Sequence, residues 1–258
     1  MNDFPHRRYN ILTREWVLVS PHRAKRPWLG QVEKQALEQL PTYDPTCYLC
    51  PRNKRAGGIF NPDYTDAYVF ENDFAALLPA LEEKPASDSP LLVSAPEQGQ
   101  CLVVCFSPRH DLTLPELELP AIENILKTWS QASDDLSKKD FIQYVQVFEN
   151  KGAMMGCSNP HPHSQVWAQS QPPNEIVKEL ASQRDYYETH NRPLLLDYVQ
   201  EELKRKERVL FSNDHFTAVA PYWAVWPFEI LVLAHRPTQY LSDLSVSEIS
   251  ALADIFKL

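Results

Sequence analysis

The sequence predicts an α+β fold: antiparallel sheet with packed helices, laid down twice along the chain, the second copy incomplete. Three observations carry this prediction. Residues 104–129 align with 231–256 at a constant offset of 127 and without a gap. In each copy, strand-like stretches lead into a stripe with helical spacing. The chain also carries 22 prolines and only 6 glycines, so it is cut into short extended pieces and turns.

In the repeat, "VCFSPRHDLTLPELELPAIENILKTW" lies over "LVLAHRPTQYLSDLSVSEISALADIF". Leu114 meets Leu241, Leu117 meets Leu244, Ile122 meets Ile249, Ile125 meets Leu252, and Trp129 meets Phe256. Upstream, "VFENDFAALLPA" matches "LFSNDHFTAVAPY" with one residue inserted. Each copy therefore reads as strand, turn, strand, helix. In the first, Pro120 suits an opening helical position. Ile122, Ile125, Leu126 and Trp129 then form one apolar stripe. "SDDLSKKD" breaks the helix, and "FIQYVQVFEN" alternates as a strand does. The strand of "GCSNPHPHSQVW" (156–167) follows.

The remaining segments connect these. Residues 79–100 form a polar, proline-bearing loop. After Pro172-Pro173, Asn174 can cap a helix running toward Glu188, and 194–208 forms a second helix leading into copy two. This gives two expected domains: 1–192, a first half with the chemistry, and 193–258, the start of a second half. The second copy's helix begins near Ser245 and reaches Leu258 with no following strand to cover its apolar face. The expectation is a fragment of a longer chain.

Bulk properties narrow the function. A formal charge of −9 argues against broad nucleic-acid binding, which needs a basic footprint. No apolar run approaches the roughly 18 residues that span a bilayer, and "MNDFPHRRYN" lacks a secretory core. A cytoplasmic, soluble protein is expected. Average glycine usage would give roughly 18, and neither glycine-rich phosphate loop pattern occurs. Side chains must therefore hold any phosphate. Five cysteines, an odd number, do not suit a secreted disulfide framework.

Two stretches can carry chemistry. "DPTCYLCP" places Cys47 and Cys50 as half of a tetrahedral metal site, as a redox pair, or as two free thiols. Proline directly after Cys50 disfavours a redox pair opening a helix. His110, His161 and His163 could complete a metal site. In a strand, alternate residues share a face, so His163 and Gln165 point the same way, and Pro162 marks the strand's start. A neutral imidazole can attack phosphorus to give a labile phosphoramidate. A glutamine two residues on can donate to the phosphoryl oxygens. Ser158 and Asn159 add short polar groups, and Arg23 and Arg26 in "SPHRAKRPW" can grip phosphate.

These residues resemble the galactose-1-phosphate uridylyltransferase family, the uridylyl-transferring branch of the histidine-triad superfamily. The resemblance rests on "GCSNPHPHSQVW" preceded by "FENKGAMMG". Supporting motifs are "HRRYN", "WVLVSPHRAKRPW", "NPDYTDAYVFENDFAALLP" and "APYWAVWPFEILVLAHR". It runs from about Pro5 to Leu258 and implies that the two copies are histidine-triad-like halves, the second incomplete. It implies ping-pong transfer of UMP between UDP-glucose and galactose 1-phosphate, with glucose 1-phosphate and UDP-galactose as products, in galactose metabolism. His163 matches the nucleophile, and Gln165 stands where simple histidine-triad hydrolases carry a histidine.

The resemblance also implies Phe70 near the uracil, Asn72 and Asp73 near the ribose, and Arg23, Arg26, Asn150 and Ser158 around the phosphates. It implies zinc on Cys47, Cys50, His110 and His161, and Glu179 as one ligand of a second metal, iron or zinc, in a site incomplete in this chain. A homodimer is implied, and no nucleic-acid or membrane partner. Ser164 stands where relatives carry another small residue, so little effect is expected there. The alternatives are an adenine-nucleotide phosphorylase or hydrolase of the same superfamily, or a zinc-stabilised nucleotide-binding module without activity.

Overall fold

The structure is a computed structural model and describes residues 4–27, 40–80 and 89–258. Trp28 of the arginine motif and 81–88 of the polar connector lie outside the described residues. The chain forms two compact units. The described residues of 1–38 with those of 173–237 make the first, and those of 39–172 with 238–258 make the second.

The first unit opens with an antiparallel hairpin, β1 (His6–Asn10) and β2 (Glu15–Val19). After the second unit's first stretch it resumes with α2 (Asn174–His190) and α3 (Leu194–Arg205). Pro173, not Asn174, is the N-cap of α2. The basic run closes α3, with Lys206 in the left-handed region at φ 55°. The sheet β7 (Val209–Ser212), β8 (Phe216–Val219) and β9 (Leu231–Ala234) follows, antiparallel and in sequence order. Leu12, Leu194 and Trp223 form one buried cluster, and Val199, Val219 and Leu233 another.

The second unit holds a four-stranded antiparallel sheet. Its strands are β3 (Tyr68–Glu71), β4 (Gly99–Cys105), β5 (Tyr144–Phe148) and β6 (His163–Gln169), in the order β3-β4-β6-β5. Helix α1 (Leu119–Ser137) carries Pro120 in its first turn. It buries Ile122, Ile125, Leu126, Trp129, Ala132 and Leu136, each large apolar side chain worth about 1.5–3 kcal/mol against exposure. Strand β6 starts immediately after Pro162, and its burial alternates. Ser164, Val166 and Ala168 are buried, while His163, Gln165 and Trp167 share the opposite face. The α1 face claims Ser164 by a hydrogen bond from Trp129 Nε1 to its Oγ, 2.7 Å. Small size is therefore not the whole requirement there: a residue without an acceptor would orphan a buried indole N–H.

The repeat is visible in these elements, with one difference from the strand, turn, strand, helix reading. In the first copy β3 and β4 are direct neighbours in the sheet, and Asn72 N–H continues their ladder to Cys101 O at 2.9 Å. In the second copy β8 sits between β7 and β9, so that copy has three strands. Nor is the apolar face of the last helix bare. Helix α4 (Val246–Lys257), closed at its start by a Ser245–Glu248 capping box, buries Leu252, Ala253 and Ile255 and packs on α1. Positions matched by the repeat meet across this contact. Trp129 packs edge-on against Phe256 at 6.3 Å, and Ser250 Oγ donates to Glu123 at 2.5 Å across a separation of 127 residues.

Among the described residues, Gly99 is the one glycine whose missing side chain is demanded by packing. A Cβ there would lie 2.3 Å from Ala168 O and 2.9 Å from Leu77. Gly99→Ala must push β4 away from β6, with an expected loss of ~1–3 kcal/mol read as a lower urea midpoint at unchanged slope.

Candidate active site

A turn holds both CxxC thiols. Cys50 N–H donates to Cys47 O at 3.2 Å. Asn53 Nδ2 grips Cys47 O at 2.7 Å, and Asn61 Nδ2 grips Cys50 O at 2.9 Å. The β4–α1 connection brings in His110, and the residue before Pro162 brings in His161. All four side chains are buried, and their donor atoms lie within 4.8 Å of one another. His110 Nδ1 and His161 Nδ1 are each 3.5 Å from Cys50 Sγ. Tetrahedral metal–sulfur and metal–nitrogen bonds of roughly 2.3 and 2.1 Å need donors at about this spacing.

The surroundings prepare the group for a cation. Ser107 O, which can only accept, lies 3.0 Å from His161 Nε2. That nitrogen therefore carries the proton, and Nδ1 offers its lone pair to the centre. Burial pulls the His161 pKa down to about 4, so the ring is neutral. Burial, with Cys47 as a further influence, pushes the Cys50 thiol up to about 11. A divalent cation reverses that penalty by favouring the thiolate. These residues can hold a metal ion, and among the described residues no other group of three or more ligands comes together.

A cavity of about 320 Å³ is lined by Phe70, Asn72, Asp73, Ser158, His163 and Gln165, together with Phe74 and others. His163 Nδ1 lies 2.8 Å from His161 O. A carbonyl only accepts, so Nδ1 is protonated and Nε2 is the nitrogen left with a free lone pair. The histidine of the thiol–imidazole group and the cavity histidine are thus joined through one backbone carbonyl. Asn159, buried beside them, accepts from His161 N–H at 2.9 Å and sets the chain's path into β6.

Gln165 is held at its oxygen. Trp167 Nε1 donates to Oε1 at 3.0 Å, and Asn72 Nδ2 lies 3.4 Å from the same atom. Asn72 Oδ1 in turn accepts Phe74 N–H at 2.9 Å.

Six of the expected residues therefore line one cavity, and four others form the thiol–imidazole group beside it. Asn150 lies in the same unit, half-buried just beyond β5, and outside the cavity lining. Arg23 and Arg26 sit on and directly after the exposed single turn Pro21–Lys25 of the first unit. Glu179 belongs to that unit as well, on α2. It lines a separate cavity of about 230 Å³ with Asn10, Trp223 and Glu229, and burial raises its carboxyl pKa. Sequence reading missed Arg55. Its buried guanidinium lies 3.9 Å over the Phe70 ring and 3.4 Å from Asp73, and no local pattern marks it.

Comparison with known proteins gives a consistent picture. Family models described as galactose-1-phosphate uridyl transferase, N-terminal and C-terminal domains, match residues 1–173 and 179–258. A galactose-1-phosphate uridylyltransferase of Haemophilus influenzae is 52% identical over 99% of this chain and 72% of its own length. One from Saccharomyces cerevisiae is 46% identical over 98% of this chain and 72% of its own. A solved uridylyltransferase superposes with a TM-score of 0.74 at 28% identity, covering 97% of this chain and 72% of that one. An ADP-glucose phosphorylase from Arabidopsis thaliana, solved with ADP-glucose, also gives 0.74 at 28% identity, over 98% and 75%.

Proposed function

The chain belongs to the galactose-1-phosphate uridylyltransferase family, and from this premise we infer that it moves UMP between UDP-glucose and galactose 1-phosphate through a uridylyl-histidine. It is a transferase of galactose metabolism. The observation that carries the residue assignment is His163, whose Nδ1 is pinned to His161 O while the ring lines the cavity. Nε2 of His163 attacks the α-phosphorus of UDP-glucose. The N–P bond forms as the bond to the bridging oxygen breaks, and glucose 1-phosphate leaves with that electron pair. A phosphate oxygen of galactose 1-phosphate then attacks the same phosphorus, breaking the N–P bond and releasing UDP-galactose. The proton on Nδ1 stays in place, where His161 O stabilises the cationic ring of the intermediate.

Phe70 stacks on the uracil, Asn72 and Asp73 take the ribose hydroxyls, and Ser158, Asn150, Arg23 and Arg26 hold the phosphates. Gln165 donates to the phosphoryl oxygens as charge shifts onto them. Zinc on Cys47, Cys50, His110 and His161 supplies a structural cross-link that compensates two buried thiolates. Glu179 serves as one ligand of a second metal, iron or zinc. The duplicated halves, 1–192 and 193–258, share one ancestry, a reading supported by repeat-matched residues meeting between α1 and α4. The working form is a homodimer. No described helix is long and apolar enough to cross a membrane.

Adenine specificity is the second reading, favoured by the equal superposition of the ADP-glucose phosphorylase. Paired assays decide between them. UDP-glucose with galactose 1-phosphate yields UDP-galactose and glucose 1-phosphate on the first reading. Turnover confined to ADP-glucose with phosphate overturns it.

A further inference from the structure

We propose that Trp167 is a positioning residue that fixes which end of the Gln165 amide faces the reacting phosphate. The inference rests on the reading of Gln165 as a phosphoryl donor and adds the device that makes it one. A carboxamide has two ends of nearly equal shape and opposite function, and a free glutamine presents either. Here the choice is forced by groups that can only donate. The indole Nε1–H of Trp167 has no acceptor capacity, so the atom 3.0 Å from it must be Oε1. Phe74 N–H, equally unable to accept, fixes Asn72 Oδ1 at 2.9 Å. The other end of Asn72 is therefore its NH₂, which faces Gln165 Oε1 at 3.4 Å.

Two donors thus converge on one oxygen. Turning the Gln165 amide over would set its N–H bonds against both of them. Nε2 is left without a partner among the described residues, in a side chain that lines the cavity with His163. Trp167 is itself held. Residues 165 and 167 share a face of β6, and Phe148 on β5 meets the indole edge-on at 5.4 Å, 80° between planes. Trp167 does not line the cavity, so its effect on the reaction passes through Gln165.

Trp167→Phe keeps an aromatic ring against Phe148 but removes the N–H together with part of the ring system, and the Gln165→Ala background below separates the two losses. In single-turnover uridylylation by UDP-glucose, followed by intact mass, it is expected to slow the step about 5- to 10-fold. UDP-glucose affinity by calorimetry should stay within about twofold. In a Gln165→Ala background the same change should add less than about twofold, since the group it orients is gone. An unchanged rate for Trp167→Phe, or an equal slowing in both backgrounds, overturns the proposal. A wild-type rate for Gln165→Ala alone instead sinks the donor reading of Gln165 on which it rests. A variant that fails to fold does not close the question. The assigned Trp167 indole proton of the otherwise native protein should move upfield in Gln165→Leu, and a resonance that stays put overturns the hydrogen bond.

Discussion

Cys50→Ser is expected to strip the protein of its metal and lower its melting temperature by roughly 10 °C or more. The reason is local. Cys50 is fully buried, and its sulfur is the atom on which both imidazoles converge at 3.5 Å. Around it lie Cys47, Leu49, Tyr64, Val103 and Cys105 in one packed cluster, and Tyr64 hydroxyl donates to Leu49 O at 2.6 Å within it. Serine supplies a poorer ligand and a smaller atom in a site that cannot collapse. Calorimetry with elemental analysis checks this, and a chelator should reproduce the shift in the native protein. Native stability and metal content in Cys50→Ser would show that the four side chains are only packed together.

His163→Gly has the opposite signature. The side chain lies on the cavity face of β6 and takes one hydrogen bond, to a backbone carbonyl. Losing it leaves the metal group intact, so melting should change little. Activity should fall by roughly 10⁴-fold or more, the scale at which removing a covalent nucleophile acts. UDP-glucose should still bind, because Phe70, Asn72, Asp73 and Ser158 line the cavity independently. Steady-state rates beside calorimetric affinity separate the two effects. A modest loss of rate would move the nucleophile elsewhere.

The contrast between these variants follows what the sequence could and could not reveal. Local patterns were legible. Pro162 marked the start of β6, the period of two put His163 and Gln165 on one face, and the stripe from Ile122 to Trp129 marked α1. Cys47 and Cys50 marked themselves as half of a group that could hold a metal ion. The other half was open among His110, His161 and His163 until the family resemblance chose two, because His110 reaches Cys50 across 60 residues and His161 across 111. The β1–β2 hairpin escaped notice as well. "HRRYN" carries almost no apolar residue, and its pairing with "EWVLV" is set by backbone hydrogen bonds. The cradle of Gln165 was equally hidden. Asn72 lies 93 residues away, and it is the β3–β4–β6 pairing that brings the two amides together. Arg55 gave no sign, since a buried guanidinium over Phe70 depends wholly on tertiary packing.

The most direct test of the central claim is the intact mass of the protein after mixing with UDP-glucose in the absence of any acceptor. The account predicts a gain of one uridylyl group, absent in His163→Gly and discharged when galactose 1-phosphate is added. A native protein that binds UDP-glucose without gaining mass, or a His163→Gly variant that gains it, would contradict the account.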